Sequence, residues 1–220
     1  MSKAWKSTEA RIAKMLSIWW TGHEKAFTRA PCSGGWPAPR ANGDMVANID
    51  LPGIPQHVKD AARAFTSTWS MDVKRRIRGS RSASKDGDPQ KWSVEELLTA
   101  PKHPIIKWWL EMNALAATRG TYRFLVANKA THHSYVIFGE REMTYIKSCV
   151  QTAASIIQSE YFDWSSIFGP SITVVGVSSQ VQEALTIFEL RSFLSMVDSR
   201  DLGGLGNGPR PEGAGAKTTP

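Results

Sequence analysis

The segment Trp69-Ser70-Met71-Asp72-Val73-Lys74-Arg75 sets an acid and a base two residues apart. In an extended strand successive side chains point to opposite faces, so Trp69, Met71 and Val73 share one face and Ser70, Asp72 and Lys74 the other. A carboxylate and an ammonium then stand side by side. Upstream, Gly43-Asp44-Met45-Val46-Ala47 carries a second carboxylate at the head of a short apolar run. If the two runs are neighbouring strands, Asp44 and Asp72 meet. Two close carboxylates with a lysine suit the binding of a divalent cation and the stabilisation of a developing phosphorane.

A third acid stands out by its place on a helix. Residues 3–20 read as an amphipathic helix, with Trp5, Ile12, Met15, Leu16 and Trp19 at helical spacing. Glu9 falls on the same stripe, where a carboxylate costs several kcal/mol unless it is paired, hydrogen-bonded or bound to a metal. The other reading is a narrow stripe with Glu9 at its wet edge. After this helix, Phe27-Thr28-Arg29 reads as extended and runs into Ala30-Pro31-Cys32-Ser33-Gly34-Gly35. A turn of such small residues lets backbone amides approach a phosphate closely, and it serves equally as an ordinary surface turn.

These residues need a scaffold. Residues 48–62, with Pro52, Gly53 and Pro55, read as a loop with one short helix, and Phe65 to Lys74 as the strand carrying the acid and the lysine. Arg75, Arg76, Arg78, Arg81 and Lys85 then crowd a Ser- and Gly-containing segment suited to DNA contact or simply to solvation. Asp86-Gly87-Asp88 reads as a turn, since the other ligands of a calcium loop are missing. Trp92–Leu98 and Pro104–Thr118 read as helices, and Tyr122–Ala127 and Ser134–Phe138 as a strand pair with His132 and His133 in its turn. The rest reads as a helix over 146–161, strands over 172–177 and 185–188, a helix over 191–197, and a disordered Gly/Pro-rich tail from Gly203. Trp19-Trp20 and Trp108-Trp109 suit base stacking, but their helical placement favours packing.

At 220 residues and 41% hydrophobic, the chain can bury one sizeable core and is short for two catalytic domains. A net charge of +7 and a pI near 9.5 favour a polyanionic partner without requiring one. Cys32 and Cys149 lack metal-ligand spacing, which argues against zinc and against a disulfide-stapled secreted domain. No run approaches the ~18 apolar residues of a membrane span, and the first residues lack a signal-peptide core. A cytoplasmic, nucleoid-associated protein is expected. No phosphate-loop, nucleophile-elbow or HExxH motif is present, so ATPase, serine-hydrolase and zinc-protease chemistry has no local support.

Taken in order, Glu9 on a first helix, the Arg29-Ala30-Pro31-Cys32-Ser33-Gly34 loop, Gly43-Asp44 and Asp72-Val73-Lys74 resemble the PD-(D/E)XK nuclease superfamily. The closer similarity is to archaeal-type Holliday junction resolvases and their phage relatives, whose pattern is a helix-borne Glu, an Arg-x-Pro-x-Ser-Gly loop, an Asp and an acid-x-Lys strand. The likeness covers about residues 5–76 and leaves 86–200 as a helix-rich elaboration. Gly43 replaces the proline of the superfamily name, Asp72 stands where relatives often carry Glu, and the stretch from 44 to 72 is long. The resemblance implies an α/β restriction-endonuclease-like core over 1–202, a central mixed sheet flanked by helices, followed by a tail over 203–220. It implies Mg²⁺ or Mn²⁺ held by Asp44 and Asp72 with Glu9 completing the site, and Lys74 acting on the attacking water and the scissile phosphate. Arg29, Ser33 and Gly34, with Arg75, Arg76 and Arg78, would contact DNA. The implied protein is a homodimeric endonuclease acting on four-way junctions, with a repair or restriction-type endonuclease or a non-catalytic DNA-binding module as alternatives.

Overall fold

The computed structural model describes residues 3–30, 44–75, 97, 103–128, 133–156, 171–174 and 181–206. Helix α1 (Lys3–Thr21) leads into a small antiparallel pair, β1 (Phe27–Arg29) and β2 (Met45–Ala47). Helix α2 (Gln56–Thr68) is followed directly by β3 (Trp69–Arg75), then by α3 (Pro104–Arg119) and the hairpin strands β4 (Tyr122–Asn128) and β5 (Ser134–Phe138). Helix α4 (Glu140–Ile156), strands β6 (Ser171–Val174) and β7 (Leu185–Glu189), helix α5 (Leu190–Met196) and a 3-10 turn over Ser199–Leu202 complete the described chain.

Five strands form one mixed sheet in the order β3-β4-β5-β7-β6. Only β3 and β4 run parallel, with Asp72 opposite Leu125, and the remaining neighbours are antiparallel. Helix α3 supplies the crossover that a parallel pair requires. Its limits follow sequence signals: Pro104 sits in the first turn, where no amide partner is lost, and Gly120 closes the helix at φ 68.

Strand alternation divides the core in two. Trp69, Met71 and Val73 of β3, with Phe124 and Val126 of β4, pack against Ile12, Leu16 and Trp20 of α1, Phe65 of α2 and Ile146 of α4. Leu125, Ala127 and Ile137 face the other way, against Ile105, Ile106, Trp109 and Met112 of α3. The sheet is therefore an α/β layer with helices on both faces. Ser70, Asp72 and Lys74 lie on the face that α3 covers, as period-two alternation requires.

Several expectations are corrected. The short helix expected within the loop over 48–62 is α2, which runs on past Phe65 to Thr68 and buries Val58, Ala61, Ala62 and Phe65 at helical spacing, so the strand expected from Phe65, β3, begins only at Trp69. Strand β2 pairs with β1 rather than with β3. Helix α4 begins at Glu140 rather than at Ile146. Residues 203–206, expected in the tail, are tied to α1, with Leu205 N–H donating to the Trp20 carbonyl at 2.6 Å. The expected helix over 92–98 lies outside the described residues except for Leu97, which is helical and buried. Residues 157–161, 175–177 and 207–220 also lie outside. Among the described residues no helix is long and apolar enough to cross a membrane.

Candidate active site

Asp44 joins β3 without belonging to its ladder. Its N–H donates to the Met71 carbonyl at 2.8 Å, and its Oδ2 accepts from the Val73 N–H at 2.9 Å. Strand β3 is the edge of the five-stranded sheet, so these two bonds satisfy edge groups that would otherwise need water or another chain. Asp44 is thereby fixed at both backbone and side chain. Its carbonyl in turn accepts from Ala30 N–H at 2.8 Å, which carries the end of β1 to the same place.

The two aspartates meet. Burial pushes the Asp44 carboxyl up to about 8, helped by a hydrogen bond to the Asp72 carboxylate and by its charge, against the pull of the Val73 N–H. Glu9 adds a smaller push in the same direction. At neutral pH Asp44 holds the proton that lets two neighbouring acids share the space. A hard divalent cation answers the same excess of negative charge, and Mg²⁺ sites need only one or two protein carboxylates beside water and phosphate oxygens. The pair fits such a cation in its donor chemistry.

Lys74 lies beside this pair. Its Nζ is 2.8 Å from Asp72 Oδ2 and 3.4 Å from Glu111 Oε2 of α3. Burial disfavours the ammonium, but the charges of Asp72, Glu111 and Asp44 outweigh it and raise the lysine's pKa. Lys74 is therefore a fixed positive charge rather than a base at neutral pH.

Glu9 is 1% exposed, which excludes the wet-edge reading. It forms an ion pair with Arg29, so the helix-borne acid and the β1 arginine hold each other. The three acids expected to share a metal are thus not gathered as one ligand set: Asp44 and Asp72 touch, while Glu9 faces Arg29. Among the described residues no group of three His, Cys, Asp or Glu stands at metal-binding spacing. Arg75 pairs through its backbone opposite Asn128 at the end of β3. Ser33, Gly34, Arg76 and Arg78 lie outside the described residues, as does His132. The tryptophan pairs pack: Trp19 and Trp20 donate to the Val197 and Ala61 carbonyls, and Trp109 donates to Glu183.

Two features escaped sequence reasoning. Glu111 reaches Lys74 from a distant helix, and no spacing in the chain relates the two. Arg123 forms a buried network in which its guanidinium donates to Glu142 at 2.6 Å and to Glu183 at 2.6 Å, with Trp109 at 4.2 Å beneath it. A cavity of about 350 Å³ is lined by Trp109, Leu110, Asn113, Val181, Gln182 and Glu183, none of them an expected site residue. Compared with protein-family models, curated proteins and solved structures, the chain matches none.

Proposed function

We propose that this chain is a metal-dependent endonuclease that hydrolyses DNA phosphodiester bonds, with Asp44, Asp72 and Lys74 as its reacting residues. The observation that carries the reading is the Asp44 carboxyl, fixed on the β3 edge by the Met71 and Val73 backbone and set against Asp72, with the Lys74 ammonium 2.8 Å from the latter. Two acids crowded together in a buried place beside a held cation are costly for stability alone and suit a site built to receive a metal and an anion. The order of motifs that resembles PD-(D/E)XK resolvases supports the same assignment and points to four-way DNA junctions cut by a homodimer.

In hydrolysis a water oxygen forms a new bond to phosphorus, one phosphorus–oxygen bond breaks, and a proton passes from the water to the departing oxygen. Mg²⁺ or Mn²⁺, when bound, supplies positive charge to an otherwise repellent phosphate. Asp44 and Asp72 would hold it, Asp44 giving up its proton on binding. Lys74 donates a charge-assisted hydrogen bond to a phosphoryl oxygen and stabilises the charge that grows there. The Glu9–Arg29 pair braces α1 against β1 behind Asp44.

The test uses a labelled four-way junction and a matched linear duplex, each with Mg²⁺ or with EDTA, for the wild type and Asp72→Asn. Paired, symmetric nicks in the junction only, abolished by EDTA and by the substitution while DNA binding persists, are expected. Cleavage of duplex and flap alike would move the protein to another endonuclease class. Metal-independent binding without any cut would leave a DNA-binding module, and cleavage that survives Asp72→Asn would overturn the role of the aspartates.

A further inference from the structure

Lys74 is shared by carboxylates from two different elements, and the sharing continues outward. Its Nζ lies 2.8 Å from Asp72 Oδ2 and 3.4 Å from Glu111 Oε2, and Glu111 Oε1 is 3.9 Å from Lys107 Nζ one turn earlier on α3. Side-chain exposure rises along this row, from 13% at Asp72 and 24% at Lys74 to 46% at Glu111 and 77% at Lys107. Charges therefore alternate from the buried pair to solvent. The backbone that presents Glu111 is anchored from behind, because Trp109 and Met112 of the same helix are buried in the second core.

We propose that Glu111 is a positioning residue that holds the Lys74 ammonium over the Asp44–Asp72 pair. This inference rests on the nuclease reading and deepens it. A lysine on its four-carbon stem has many rotamers, and one partner restrains it poorly. Asp72 is also a compromised partner, since it bonds to Asp44 and is assigned to a divalent cation that would repel the ammonium. Glu111 stands outside the pair, on another element, and would remain beside Lys74 if Asp72 held the cation. Lys107 limits the freedom of Glu111 in turn. An exposed ion pair with no such role would leave the reaction unchanged when broken.

The experiment is a double-mutant cycle of Lys74→Ala and Glu111→Gln with two readouts. The first is cleavage of DNA with Mg²⁺: Glu111→Gln lowers kcat about tenfold with KM changed less than about threefold, and adds nothing in the Lys74→Ala background. The second is the NMR order parameter of the Lys74 Cε in the protein free of metal and DNA, which drops in Glu111→Gln. Independent losses in the cycle, or a Lys74 as ordered without Glu111 as with it, would overturn the assignment. A wild type that binds DNA without cutting it would remove the nuclease reading, and the order parameter would still decide whether Glu111 holds Lys74.

Discussion

A lysine held between two carboxylates keeps its proton, and this separates the two roles an acid-x-Lys strand offers. In the proposed reaction the Lys74 ammonium would stabilise charge on the phosphate rather than withdraw a proton from water. Lys74→Met should therefore lower kcat by about 10²–10³-fold, the usual loss when one preorganised donor to a developing oxyanion is removed, with DNA affinity nearly kept. Lys74→Arg should restore part of that rate, since the charge remains. Single-turnover cleavage over a pH series checks this: a rate rescued by raising the pH rather than by the arginine would make Lys74 a base. Asp72 and Lys74 were legible because alternation on a strand is local. The burial of Glu9 was legible from its helical stripe, but its partner was not, because Arg29 meets it only after β1 folds against α1. Glu111 was illegible in principle, since the strand-to-helix crossover that brings it to Lys74 is tertiary.

Elements explain how the carboxylates meet. The sequence suggested adjacent strands, yet β2 pairs with β1, and Asp44 instead caps the free edge of β3 with one backbone and one side-chain bond. Extension of β3 back to Phe65 failed because Val58, Ala61, Ala62 and Phe65 make a helical face that the apolar core rewards more than two further strand residues. On the face of the sheet that α3 covers, β4 and α4 are joined by Arg123, which is 5% exposed, and Glu142, which is fully buried. Glu142 accepts from the Arg123 backbone and guanidinium and from Gly139 N–H at 3.2 Å. Glu142→Ala leaves that guanidinium with the partly buried Glu183 as its one remaining carboxylate and the Asn113 Oδ1 as a neutral acceptor, and should destabilise the protein by about 3–5 kcal/mol. Urea unfolding measures this directly; a loss below about 1 kcal/mol would show that Glu183 and Trp109 suffice to hold Arg123. Nothing in the sequence announced this network, because its members lie on four separate stretches of chain and no local period links them.

The stability of the whole molecule inherits the strain of its acidic pair. Asp44 titrates at about 8 in the folded protein against an ordinary value of 3.8, so between these limits the folded state holds a proton that the unfolded chain has released. Stabilisation from this group is complete below pH about 4, declines as pH rises by at most about 1.4 kcal/mol per unit, and is gone above about 8. A divalent cation at the proposed site would compete with that proton for the same oxygens, so its stabilising effect should grow over the same interval. Thermal unfolding from pH 5 to 9, in EDTA and in excess Mg²⁺, should show two curves that diverge toward high pH. Asp44→Asn removes the titrating group while its backbone bond to Met71 remains available, and should flatten the EDTA curve and close the gap to the Mg²⁺ curve. A pH slope that persists unchanged in Asp44→Asn would place the titration elsewhere, and an Mg²⁺ gap that persists would place the metal elsewhere. In the proposed reading the site would couple the fold to its cofactor, because loss of the Asp44 proton, which lowers stability, would also free the carboxylate for a cation.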